Sequence, residues 1–252
     1  MSFENIHGLN IRVEVSGDSG RDVILLHGWG QNIEMMSYIA AFLKQHFIVY
    51  NLDLPGFGQS EEMKTPYNID DYVDFLEDFI SYYSISEPIL IGHSFGCRIA
   101  LKYALNHPVR RMCLTGAAGI RDDRDLSYYL KTYSYKVGKK ILSIKPFRKY
   151  LDSFKANAGS SDYKNASPIM KQTLIKAVNE DLKGILKDIG VETLLVFGDQ
   201  DEATPLSKGR MMEELMGDAT LVVFEGDDHF AYFHQADRFN RVLEAFLKRD
   251  YD

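Results

Sequence analysis

The stretch Pro88-Ile89-Leu90-Ile91-Gly92-His93-Ser94-Phe95-Gly96-Cys97-Arg98-Ile99-Ala100 joins a short apolar run to a helix-forming tail. The run suits a buried strand and is short for a helix. The tail, from Phe95 towards Asn106, must end before Pro108, which no helix interior tolerates. Gly92-His93-Ser94-Phe95-Gly96 is the junction, a G-x-S-x-G sequence. So sharp a turn puts the central residue on a strained backbone, its side chain pushed out at the strand's carboxyl end. Glycines on either side remove the Cβ atoms that would block the turn. The Ser94 hydroxyl then sits near a helix amino end, where main-chain N–H groups favour developing negative charge. A chance Gly/Ser pattern with a capping serine is the bland alternative, so the rest of the chain has to discriminate.

Working outward, residues 2–7 and 10–16 alternate apolar and polar positions around His7-Gly8, a hairpin pattern. Strands are expected at Asp22–His27, Phe47–Leu52, Arg111–Thr115, Val191–Phe197 and Thr220–Phe224. Helices are expected at 34–45, 69–83, 207–216 and 234–248. Alternating strands and helices imply an α/β fold with a mostly parallel sheet covered on both faces. Reactive groups in such sheets gather beyond the carboxyl ends of the strands. Residues 121–184 break the alternation with tyrosines and an excess of basic over acidic residues. They read as an inserted helical lid, with Ser167-Pro168 opening a helix. Residues 1–120 and 185–252 then form the core domain.

The chain has 252 residues, 45% of them hydrophobic and 26% charged, as in an ordinary globular protein. No apolar run approaches the roughly 20 residues of a membrane span. No secretory signal pattern opens the sequence. Cys97 and Cys113 have no metal-ligand spacing and fall in expected core segments. A cytoplasmic protein with reduced thiols is the expectation. A net charge of −7 argues against general nucleic-acid binding. Neither metal nor cofactor is expected, and a monomer or homodimer fits equally.

A serine hydroxyl needs a base to take its proton, and the base needs an orienting partner. Three strand ends offer candidates: Ser94, the acids in Gly198-Asp199-Gln200-Asp201, and His229 in Gly226-Asp227-Asp228-His229. The order Ser, Asp, His and the elbow context resemble the α/β-hydrolases, and the resemblance covers nearly the whole chain outside the lid. In that family the acid stands three residues after the glycine and four before a proline. Gly198 and Pro205 thus imply Asp201, with Asp199 as competitor. The resemblance also implies an oxyanion hole from the main-chain N–H groups of Trp29 and Phe95, since His27-Gly28-Trp29-Gly30 matches the family's H-G-aromatic-G. Cys97 departs from a second glycine common after the elbow. For His93, a structural role and a place at the substrate both stand open. Arg98 has two readings, a salt bridge behind the helix or contact with an anionic substrate. The menaquinone-pathway lyase of this fold also carries arginine four residues after its nucleophile.

A serine at the elbow argues against dehalogenases and epoxide hydrolases, which resemble this fold but carry aspartate there. The expected activity is hydrolysis of small or medium carboxylic esters through an acyl-enzyme. A C–C bond hydrolase, a lyase acting on an anionic substrate, and a triad-bearing receptor with very slow turnover are the alternatives.

Overall fold

A computed structural model of the chain describes residues 2–121 and 166–251. Eight strands form one sheet: β1 (Ser2–Ile6), β2 (Leu9–Ser16), β3 (Asp22–Leu26), β4 (Ile48–Leu52), β5 (Ile89–His93), β6 (Arg111–Thr115), β7 (Thr193–Gly198) and β8 (Ala219–Phe224). Their order across the sheet is β1-β2-β4-β3-β5-β6-β7-β8. The β1–β2 hairpin is antiparallel and adds antiparallel to β4, while β4 through β8 run parallel. The hairpin turns at His7 and Gly8, both at positive φ.

Strand β5 lies between β3 and β6, and all five of its residues are buried. Both faces of the sheet are covered, so its strands read as continuous apolar runs. Alternation still sorts the side chains. Ile24, Leu26, Leu90 and Leu114 join one core layer with helices α2 (Ile69–Tyr82) and α3 (Phe95–Ala104). Val23, Leu25, Ile89 and Ile91 join the other. That second layer takes helices α1 (Ile33–Leu43) and α7 (Ala236–Leu247). Helix α2 begins with a capping box, in which Asn68 Oδ1 accepts the Asp71 N–H and Asp71 Oδ2 accepts the Asn68 N–H.

The expected elements recur with shifts of one or two residues at their ends. The helix expected over 234–248 is α7; the short helix α6 (Ala231–His234) precedes it, and the chain breaks between them at Gln235 with φ −108° and ψ 47°. Asp227 explains the break, because its carboxylate holds both His234 Nδ1 and Gln235 Nε2 and turns the chain there.

Residues 122–165 of the expected lid lie outside the described residues. Its carboxyl part is helix α4 (Pro168–Asn179), which starts where expected: Ser167 accepts the Met170 N–H at 3.1 Å, and Pro168 occupies the first turn. Helix α5 (Leu206–Leu215) follows β7. Among the described residues, no helix is long and apolar enough to cross a membrane.

Candidate active site

At the carboxyl end of β5 the backbone of Ser94 takes φ 48° and ψ −104°. Conformations of this kind cost a non-glycine residue on the order of 1–3 kcal/mol. The flanking glycines permit them. A Cβ on Gly96 would lie 2.1 Å from the Leu26 carbonyl oxygen, and one on Gly92 3.0 Å from the Cys97 nitrogen. Main-chain bonds hold the elbow: the Ser94 N–H donates to the Thr115 carbonyl, and the Cys97 and Ala118 N–H groups donate to the Ser94 carbonyl. Cys97 fits in place of the usual glycine, fully buried with Sγ 3.7 Å from the Thr115 carbonyl oxygen.

Ser94 occupies the cap position of α3, yet its side chain makes no capping bond. Its Oγ lies 2.8 Å from His229 Nε2, and His229 Nδ1 lies 2.7 Å from Asp201 Oδ2. The capping reading of the serine is therefore set aside. Asp201 is bonded on every side. Its Oδ1 accepts the Ala203 and Thr204 N–H groups at 2.8 Å each, and its Oδ2 accepts the Thr204 hydroxyl at 2.7 Å. Burial works to raise the Asp201 pKa, but hydrogen bonds from His229 and from Thr204 outweigh it and leave the carboxyl below its ordinary value. A carboxylate acceptor on Nδ1 fixes the tautomer in which Nε2 accepts the Ser94 proton.

Asp199 points elsewhere. Its Oδ1 accepts the Gly226 N–H at 2.8 Å and braces the loop that carries His229. Two glycines let that loop come close. A Cβ on Gly198 would lie 2.2 Å from the Asp227 carbonyl oxygen, and one on Gly116, at φ +50°, 2.9 Å from His229 Nδ1.

Trp29 and Phe95 both line the cavity that opens on Ser94, with their rings perpendicular at 5.3 Å. Among the described residues neither of their main-chain N–H groups has a protein acceptor. The loop before Trp29 is fixed by His27. The Leu54 N–H donates to His27 Nε2 at 3.0 Å, so Nδ1 carries the proton and donates to the Gly28 carbonyl. Burial lowers the His27 pKa to about 4, so the ring stays neutral.

His93 does not line the cavity, and of its two readings the structural one fits the place it takes. The residue before Ser94 points to the opposite face of the sheet. There His93 is fully buried, 4.6 Å from the Tyr232 ring and 4.8 Å from the His229 ring. Burial, then the charge of His229, lowers its pKa to about 3, so it is a neutral core imidazole. Arg98 does line the cavity. Its Nη1 donates to the Glu180 carbonyl at 3.0 Å, and among the described residues no carboxylate pairs with it. The cavity measures about 450 Å³, with walls from α3, α4 and the Ala117–Ile120 segment after β6. Thr204 and Lys208 line it too, and sequence reasoning passed over both. Thr204 sits between two residues of the recognised Asp201–Pro205 motif, a signal that was legible; Lys208 had none.

The family model described as "Alpha/beta hydrolase family" matches residues 23–242. A pimeloyl-[acyl-carrier protein] methyl ester esterase of Neisseria meningitidis is 26% identical, over 92% of this chain and 94% of that protein. Among solved structures, an esterase (EaEST) from Exiguobacterium antarcticum is 26% identical with a TM-score of 0.75, covering 98% of this chain and 99% of the other. A meta-cleavage product hydrolase (CumD) from Pseudomonas fluorescens IP01 is 25% identical with a TM-score of 0.76, covering 99% and 98%.

Proposed function

This chain belongs to the alpha/beta hydrolase family and is a hydrolase, and from that premise we propose that it cleaves carboxylic esters through an acyl-enzyme on Ser94. The observation that carries this reading is the unbroken hydrogen-bond chain from Ser94 Oγ through His229 to Asp201. His229 Nε2 takes the Ser94 proton as Oγ attacks the ester carbonyl carbon. The carbonyl oxygen becomes an oxyanion facing the Trp29 and Phe95 N–H groups, an arrangement that favours the transition state over the ground state. Collapse breaks the bond to the alkoxy oxygen, which leaves as the alcohol with the proton from His229. Water, deprotonated by His229, then attacks the acyl carbon and releases the acid and Ser94. Asp201, held ionised by its donors, orients the imidazole and stabilises its protonated form.

The wider arrangement follows the same reading. Residues 121–184 act as an inserted cap; in support, α4 brings Leu174, Ala177 and Val178 to the cavity wall. The buried free thiols Cys97 and Cys113 suit a reducing, cytoplasmic compartment.

Cleavage of a C–C bond is the second reading, favoured by the full-length likeness to CumD. A panel of 4-nitrophenyl esters from acetate to decanoate, run beside a vinylogous 1,5-diketone acid, separates the two. Sustained turnover of an ester, lost in Ser94→Ala, is the expected result. A burst without further turnover would instead indicate a slow receptor-like protein, and preference for the diketone a C–C hydrolase.

A further inference from the structure

The hydroxyl of Thr204 touches the acid and the imidazole at once. Its Oγ1 lies 2.7 Å from Asp201 Oδ2 and 3.2 Å from His229 Nδ1, and those two atoms lie 2.7 Å apart. The three atoms form a closed triangle, and its protons can be assigned. Nε2 accepts the Ser94 proton, so Nδ1 carries the ring's own proton and cannot accept one from threonine. The Thr204 proton therefore goes to Asp201 Oδ2. A lone pair on Oγ1 is left for Nδ1–H as a second, longer acceptor. The main chain of the same residue takes the other carboxylate oxygen, with the Thr204 N–H donating to Asp201 Oδ1 at 2.8 Å. Thr204 thus grips both oxygens, and the carboxylate cannot rotate without breaking that grip. The sequence limits the freedom of this residue: Pro205 biases the position before it towards extended backbone, and a β-branched side chain has few rotamers. Burial protects the bonds, since Asp201 is 5% and Thr204 9% exposed. Hydrogen bonds are electrostatically stronger in such surroundings than in water.

We propose that Thr204 is a positioning residue of the triad, whose hydroxyl fixes Asp201 Oδ2 against His229 Nδ1 and shares the Nδ1–H bond once the ring is protonated. This rests on the ester-hydrolase reading above and adds a fourth side chain to it. As Ser94 Oγ bonds to the ester carbon, its proton moves to Nε2, and the Nδ1 proton stays where it is. The imidazolium then meets two oxygen acceptors, so the contribution of Thr204 grows towards the transition state and belongs in kcat. The competing role is that of a cavity wall, because Thr204 also lines the cavity that opens on Ser94.

The test separates the hydroxyl from the shape of the side chain. Thr204→Val keeps the shape and loses the hydroxyl, whereas Thr204→Ser keeps the hydroxyl. With 4-nitrophenyl butyrate, kcat should fall by about tenfold or more in Thr204→Val, as for one hydrogen bond to a charged group. KM should stay within about twofold, and Thr204→Ser should recover most of the loss. A change in KM alone, or a serine variant no better than valine, overturns the proposal. Thr204→Val built on Asp201→Asn gives a second readout. If threonine acts through the carboxylate, the double variant should fall less than about threefold below Asp201→Asn alone. Full additivity would mean that Thr204 works independently of Asp201 and would overturn its positioning role. Thr204→Ala serves for the same comparisons if valine does not fold. An unchanged kcat in Thr204→Val, beside ester turnover that Ser94→Ala abolishes, would remove the role of Thr204 and leave the Ser94 reading standing.

Discussion

Ser94 Oγ and His229 Nε2 lie 2.8 Å apart, although the two residues are 135 positions apart in the chain. Two parallel strand ends, those of β5 and β8, bring them together. Neither loop has latitude to drift: the elbow is pinned to Thr115 and Ala118, and the His229 loop is braced by Asp199 and passes over Gly198.

Asp201 and Asp199 separate cleanly. Only Asp201 touches His229, so Asp201→Asn should lower kcat by roughly 10³- to 10⁴-fold, as loss of the orienting acid does elsewhere. Asp199→Asn should stay within a few-fold, since Asp199 bonds Gly226 and Gln200 and not His229. Steady-state kinetics on a neutral ester checks both, and a crippled Asp199→Asn beside a near-normal Asp201→Asn would reverse the assignment.

Gly116 stands against the imidazole. In Gly116→Ala the new Cβ would press on His229 Nδ1 in a backbone region already unfavourable to alanine. The ring must leave Asp201 to make room. Turnover should fall by about tenfold or more, with KM changing less. Unchanged kcat would mean that the loop yields at little cost.

The elbow stores strain, and substitution can release it. Ser94→Ala and Ser94→Gly both remove the hydroxyl, but only glycine accepts φ 48° freely. Ser94→Gly should therefore be the more stable of the two by about 1 kcal/mol in urea denaturation. Equal midpoints would mean that the surrounding structure relaxes around alanine.

Acid should destabilise the fold earlier than carboxylates alone would cause. The folded pKa values of His27 and His93 are lowered to about 4 and about 3. Below the unfolded value near 6.5 the unfolded chain binds protons that these buried rings refuse. Stability is thus fully present above pH 6.5 and is lost as pH falls towards the folded values, by on the order of 3 kcal/mol per ring. The lowered pKa of Asp201 adds loss only below about pH 4. Denaturation midpoints at pH 7, 5.5 and 4.5 should fall steadily, and less steeply in His93→Phe. A flat profile from pH 7 to 4.5 would refute the buried neutral rings.

Much of this was legible in the sequence because its signals were local. The apolar run at Ile89–Ile91 and the glycines at 92 and 96 foretold strand, turn and helix. Gly198 and Pro205 framed Asp201 before any distance was known. Thr204 aside, what escaped had no local signature. His93 sits in the same motif as Ser94, yet strand alternation sends it to the opposite face. Lys208 is one more basic residue on a helix until α5 is seen to place it on the wall of the Ser94 cavity. The break at Gln235 comes with two bonds to Asp227, seven and eight residues back, that no helical periodicity encodes.

The central claim is that Ser94 is the nucleophile and that His229 activates it. Reaction with a fluorophosphonate, followed by intact mass and peptide mapping, tests it most directly. One adduct per chain on Ser94 is expected, absent in Ser94→Ala and slowed by at least about 10³-fold in His229→Ala. An unmodified Ser94 in a protein that still turns over esters would contradict the account.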